Sequence, residues 1–165
     1  MQIPRSILLH IDGSAHSSAR IPVARTLGDD FDAEVIGQPC MLTELARYPC
    51  AVGVAASVES MQELDRECLR KAHAAFIKAA AGSNRLRWAE PLADGPRGFA
   101  RRAPYADLMT LGQRDADDPA TGDLPADSLP GVLVDSGRPA LILPCAGDGA
   151  DDALRGRQRY LKVAC

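Results

Sequence analysis

The chain has 165 residues, 46% of them hydrophobic, and a formal net charge of −3. That is one domain's worth of sequence, with enough apolar material for a real core and not enough length for two independent α/β units. The slight acidity and the lack of a basic cluster exclude nucleic acid or an anionic membrane as a partner recruited by bulk charge.

No charged-then-apolar leader precedes the first strand, and no apolar run approaches bilayer length, so a cytoplasmic chain without a membrane partner is expected. Five cysteines, Cys40, Cys50, Cys68, Cys145 and Cys165, form no C-x-x-C pair and read as reduced thiols. Three scattered histidines make no ligand cluster, so no metal is expected. With 4% aromatic residues, the core must be aliphatic and alanine-rich.

Ser6 to Ile11 is a near-continuous aliphatic run, the pattern of a strand buried on both faces at the centre of a parallel sheet. It ends in Asp12-Gly13-Ser14. Gly13 permits a sharp turn, Ser14 is placed to cap the following helix, and Asp12 is left at the carboxyl end of the strand. Ligands of open α/β sheets bind in that crevice. An acid near a helix N-terminus also has a purely structural use, stabilising the dipole.

Ala15, Ala19, Val23 and Leu27 recur as the buried stripe of a first helix that Gly28 should stop, and Pro22 requires it to begin near Ser17 or Ser18 or to kink. Ala33 to Gly37, closed by Pro39, is the second strand and completes a βαβ unit. From Met41 to Ala56 a loop or short helix is expected. A long helix follows, starting at a capping box at Ser60 to Glu63 or earlier at Ser57, with a stripe at Met61, Leu64, Cys68, Ala72, Ala75 and Ala79, and an end at Gly82. Cys68 reads as a buried small hydrophobe.

Leu86 to Leu92 gives a third strand, with Trp88 covering one face, and Arg97 to Arg102 a short helix. Ala106 to Gly112 gives a fourth strand, followed by an Asp-rich polar loop from Gln113 to Asp123. Leu124 to Val134 forms a helix only if Pro125 and Pro130 lie in its first turns. Pro139 to Pro144 is a fifth strand with the proline brackets of an edge. Residues 1–145 thus make one α/β domain, and 146–165 a linker and tail. The tail either frays or adds, through Tyr160 to Ala164, to a partner's sheet edge.

The order of strand-Asp12-Gly13-Ser14-helix, Ala106-Asp107-Leu108 to Gly112, and Ser136-Gly137-Arg138-Pro139 before an aliphatic strand resembles the universal stress protein family from Ser6 to about Pro144. The resemblance implies a Rossmann-like α/β fold: five parallel strands in the order 3-2-1-4-5, helices on both faces. It also implies a homodimer pairing the fifth strands, here Ala140, Leu141, Ile142 and Leu143, an apolar edge that needs cover. Tandem relatives exist, and the tail is similar to the start of a second unit.

Carried over residue by residue, the resemblance puts Asp12, Gly13, Ser14, Ile36, Gly112 and Arg114 around a nucleotide crevice. ATP-binding relatives have a Gly-x2-Gly-x9-Gly-Ser/Thr loop whose amides hold the phosphates. Gly112 matches the first glycine, but Asp115 stands at the second, and counting back from Pro144 places Ala126-Asp127 where Gly-Ser belongs. Without a cation, Asp115, Asp117, Asp118 and Asp123 would repel a triphosphate; a divalent ion held by these acids is the alternative, against which stands the lack of a recognised ligand spacing. The expectation is a non-enzymatic stress-response or signalling module with a degenerate nucleotide crevice, no catalytic residues, and an unidentified small-molecule or protein partner. The alternative is an ATP-binding member, with or without hydrolysis, in which Asp12, Gly112 and Arg114 hold the nucleotide.

His10 is expected to be buried and satisfied by a backbone carbonyl, though a pH-sensing role stays open. His16 is either a solvated helix residue or a contact to a ligand phosphate. Arg114 either meets an anion in the crevice or pairs with Asp115 or Asp117.

Overall fold

The structure, a computed structural model, describes residues 3–12, 14, 16–40, 55–92, 95–113, 128–144 and 163–164. Its strands are β1 (Ser6–Ile11), β2 (Glu34–Pro39), β3 (Leu86–Trp88), β4 (Leu108–Gly112), β5 (Ala140–Leu143) and β6 (Val163–Ala164). The helices are α1 (Ser17–Phe31), α2 (Ala55–Ala80), α3 (Gly95–Arg102) and α4 (Ser128–Ser136), with a single 3-10 turn at Ala103–Tyr105. The sheet order is β3-β2-β1-β4-β5-β6, and the first five strands are all parallel.

β1 is the middle of that parallel set because neither face of it can meet water. Ile7, Leu9 and Ile11 point to one side and are at most 1% exposed, packing with Ile21 and Ala24 of α1 and Ala72 and Phe76 of α2. Leu8 points to the other and joins Phe99, Ala100 and Val132 from α3 and α4. Each face of the sheet is therefore covered by a pair of helices, as the period-2 side-chain alternation requires.

Several local expectations are corrected. Gly28 does not stop α1: it is buried where a Cβ would lie 2.7 Å from Val35 Cγ2, and the helix runs on to Asp32, at φ 57°. The helix closes there with the Ala33 N–H donating to the Gly28 carbonyl at 2.9 Å. The buried face of α1 carries Ser17, Arg20, Ile21, Val23, Ala24 and Gly28, leaving Ala19 exposed, so the stripe is rotated from the one expected. α1 does begin at Ser17, and Pro22 lies inside it on the exposed side. Ser14 is not its cap; His16 is the N-cap residue and makes no side-chain cap bond.

α2 starts at Ala55, so Ser60 to Glu63 lies within it rather than at its start. Cys68 is half-buried rather than buried. Gly82, at φ 77°, follows the helix end as expected, and Arg25 of α1 donates to the Ala79 carbonyl at 2.5 Å. β3 is shorter than predicted, although Leu92 still bridges Cys40 in parallel. α4 begins at Ser128, with Pro130 in its first turn. β5 is not the outermost described strand, because β6 pairs beside it. The expectations for residues 41–54, 114–127, 145–162 and Gly13, among them Arg114, the Asp-rich loop and the linker, lie outside the described residues.

Asp107, just before β4, ties the start of that strand to the start of β1. Its Oδ2 accepts from the Arg5 N–H (2.9 Å), the Ser6 N–H (3.1 Å) and the Ser6 hydroxyl (3.0 Å). The Arg5 N–H first, then the Ser6 hydroxyl, holds its carboxyl below the usual range. Asp107→Ala is expected to cost about 1–3 kcal/mol, read as a lower urea midpoint, since three donors lose a charged acceptor. An unchanged midpoint would show that these bonds are replaced by water without loss.

Candidate functional site

The chain runs outward from β1 through β2 to β3 and then returns to the other side of β1 as β4. The strand order therefore reverses between β1 and β4, and the crevice at their carboxyl ends is where such a sheet binds ligands. Asp12 follows β1, and Gly112 ends β4. The structure brings these two, with Ser14 and His10, to one place.

An arginine that the sequence reading passed over fills that place. Arg20, on α1, is 4% exposed and turns its guanidinium into the crevice. Its Nη2 donates to Asp12 Oδ1 (2.7 Å), Asp12 Oδ2 (2.9 Å) and the Ser14 hydroxyl oxygen (2.6 Å), and its Nη1 to the His10 carbonyl (3.3 Å). The guanidinium lies flat against Gly112: a Cβ there would stand 2.6 Å from Cζ, 2.7 Å from Nη1 and 2.9 Å from Nε. Gly112 is thus required for the approach of a side chain of its own protein. Arg20 Nε is buried without a hydrogen-bond partner, as is Thr110 Oγ1, two residues before Gly112 on β4.

Asp12 accepts from two further groups of the loop. Besides Arg20, Oδ1 takes the Ser14 N–H (3.0 Å) and the Ser14 hydroxyl (2.5 Å), and Oδ2 lies 3.5 Å from His10 Nδ1. Oδ1 thus accepts three hydrogen bonds and Oδ2 one, with His10 facing it. Burial by itself raises the Asp12 pKa; the Arg20 charge, with His10 and Ser14, more than offsets it and holds the group well below the usual carboxylate range. The Asp12 N–H donates to Ser17 Oγ (3.2 Å), which fixes the entry into α1.

His10 is half-buried at the crevice rim, and its ring meets the Phe99 ring edge-on at 5.0 Å as well as Asp12. That replaces the expected backbone-carbonyl partner. Ile36 of β2, partly buried, packs against the cluster on the α3–α4 face. Cys40 is buried, and burial first, then the Asp12 charge, pushes its thiol up, so it offers no thiolate nucleophile. Ser14 donates its hydroxyl proton to Asp12, an arrangement for holding a loop and not for nucleophilic attack. Among the described residues no group of three His, Cys, Asp or Glu side chains is placed to hold a metal, and no helix is long and apolar enough to cross a membrane.

Both oxygens of Asp12 thus accept from Arg20, and the guanidinium takes the space beside Gly112. The signal in the sequence was an arginine eight residues after Asp12 on an otherwise aliphatic stretch, Arg20-Ile21 to Val23-Ala24, where its only way to be buried is with a counter-charge.

No protein-family model and no curated protein matches the sequence. Solved structures do. A universal stress protein in complex with cAMP aligns with a TM-score of 0.55 at 19% identity, over 86% of this chain and 98% of that one. The hypothetical protein MJ0577, subject of a structure-based assignment of biochemical function, aligns at 0.62 and 12%, over 89% and 100%. A universal stress protein family member from Burkholderia pseudomallei aligns at 0.51 and 18%, over 88% and 99%. At these identities the likeness is architectural, and it agrees with the strand order and helix layers: the chain carries the universal stress protein fold.

Proposed function

We propose that the chain is a stress-response or signalling module of universal stress protein type, acting in the cytoplasm by binding and not by turnover, whose crevice is closed to a nucleoside triphosphate. The observation that carries this reading is the Arg20 guanidinium lodged between Asp12 and Gly112. One structure of this fold holds cAMP, so the fold itself does not bar a nucleotide. What bars it here is a local ion pair. Extracting Arg20 would strand a buried cation and a buried carboxylate, each of which costs several kcal/mol when unpaired.

The experiment is a thermal titration with ATP and magnesium. A ligand at a hundredfold its Kd stabilises a fold by about 2.7 kcal/mol, and no upward shift is expected at millimolar ATP. Native mass spectrometry of the purified protein is expected to show no retained nucleotide. A second reading, ATP bound with or without hydrolysis, has one feature on its side. The partnerless Arg20 Nε beside Gly112 is a donor that a phosphate oxygen would satisfy. A clear shift with ATP, lost in Arg20→Ala, would establish that reading and defeat the first.

A further inference from the structure

Arg5 precedes β1, Arg101 and Arg102 end α3, and Arg138 lies between α4 and β5. Each crossover helix of a parallel sheet returns the chain to the amino ends of the strands, so these arginines gather at the end of the sheet opposite Asp12 and Gly112. Arg138 Nη2 donates to the Pro104 carbonyl and ties the turn after α4 to the turn after α3. The two sides of the sheet treat their arginines differently. On the β2–β3 side they are matched: Arg25 faces Asp29 at 3.6 Å, Arg85 pairs with Asp32, and Arg87 pairs with Glu34 at 2.5 Å. On the β1–β4–β5 side, among the described residues, no ion pair is made by Arg5, Arg102 or Arg138. Asp107 is the acid there, and its Oδ2 already accepts from Arg5 and Ser6; Asp135, in the last turn of α4, is the other described acid of that side. Among these cations stands Tyr105, 86% exposed, with Val134 of α4 at 81%.

We propose that this surface docks an acidic segment of a partner protein, with Tyr105 as its apolar anchor and Arg5, Arg102 and Arg138 meeting the carboxylates. Tyrosine and arginine are the side chains that carry binding energy at protein interfaces, and a guanidinium fork matches a carboxylate in two hydrogen bonds. Nucleic acid and anionic lipid share the negative charge but extend beyond the patch, where a chain of net charge −3 repels them. A short acidic segment meets the arginines alone. The role of such a partner rests on the binding reading above, and the two fail separately: ATP titration reports on the crevice, the peptide below on the opposite end of the sheet.

The test uses the full chain and a fluorescein-labelled polyglutamate peptide with one central leucine, followed by fluorescence anisotropy. The wild type is expected to bind it, more weakly as NaCl is added. Arg5→Glu with Arg102→Glu, both exposed, is expected to weaken binding by about tenfold or more. Tyr105→Ala leaves the charge alone and is expected to weaken it by about fivefold. Arg66→Glu with Arg70→Glu, exposed on α2, alters the net charge equally and is expected to leave the affinity within about twofold. Thermal melts check that each variant is folded, and Tyr105→Ala, which removes a side chain from solvent, carries the test if the charge reversal is not. No binding by the wild type would overturn the proposal, as would equal binding by the Arg5 and Arg102 variant or by Tyr105→Ala. An equal loss in the α2 variant would show bulk charge in place of a docking surface. Tighter binding of the wild type to phosphatidylserine vesicles or to polyuridylate RNA than to the peptide would overturn the choice of partner.

Discussion

Arg20→Ala is expected to destabilise the fold by about 3–5 kcal/mol, because it leaves Asp12 buried without its counter-charge. For a chain of this size that is a fall in Tm on the order of 10 °C. Asp12 is the residue that suffers: it keeps Ser14 and His10 but loses both bonds from Nη2. Arg20→Ala with Asp12→Ala is expected to recover at least half of the loss, since two uncharged groups make no demand for a partner. Thermal melts of the two single variants and the double variant measure the coupling directly. Strict additivity would mean that the two charges are separately solvated and that the crevice is open.

The same pair sets the response to acid. The folded-state pKa of Asp12 lies below its ordinary value of 3.8, so its contribution is present in full above that pH and drains away as the pH falls toward the lower folded value. The wild type is expected to lose stability progressively below about pH 4. The double variant, lacking the group, is expected to show a shallower loss over the same range. In ligand terms Arg20→Ala also separates the two functional readings. If the guanidinium closes the crevice, its removal is the change that admits a nucleotide; if it holds phosphate, its removal abolishes binding.

The architecture was legible because the strands announce themselves. The Ile-Leu run before Asp12 can only be buried on both faces, and that places it centrally and calls for helices on either side. The address of Asp12 followed from the same run, whereas the strand order and the place of Gly112 came from the resemblance to the universal stress protein family. The rotation of α1 was not legible. Alanine spacing suggested Ala15-Ala19-Val23-Leu27, but a small residue is content on either face, whereas burying Arg20 against Asp12 turns the helix so that Ser17, Ile21 and Ala24 face inward. Periodicity counts apolar residues and is blind to a charge buried by its partner. Ser14 was misread for a related reason: its hydroxyl has two suitors, the helix amides and Asp12, and only the folded loop shows that Asp12 wins. β6 was legible only in part: Tyr160 to Ala164 was expected to fray or to add to a partner's sheet edge, and Val163–Ala164 pairs with β5 of its own chain, a choice that two residues are too few to announce.

Phe76→Ala is the other large effect, expected at about 3–5 kcal/mol in urea unfolding. The ring is 1% exposed, sits 5.2 Å from the Trp88 ring at 64°, and fills the hollow above Gly37 on β2. That hollow exists because residue 37 has no side chain: a Cβ there would stand 2.5 Å from Phe76 Cε2 and 3.0 Å from Ile11 Cδ1. Gly37→Ala alone is therefore expected to cost about 1–3 kcal/mol by overpacking. The two changes should not add. With the ring gone the new methyl has space and reduces the cavity, so the double variant is expected to be more stable than the sum of the single losses by about 1 kcal/mol or more. A sum without coupling would mean that the ring already moves away from β2. The pair also reaches the crevice, because Ile11 is the residue before Asp12. Gly37→Ala presses on Ile11 and, through it, on the turn that presents Asp12 to Arg20, so its acid sensitivity below pH 4 is expected to move toward that of the Arg20 variants, whereas Phe76→Ala should leave that profile in place.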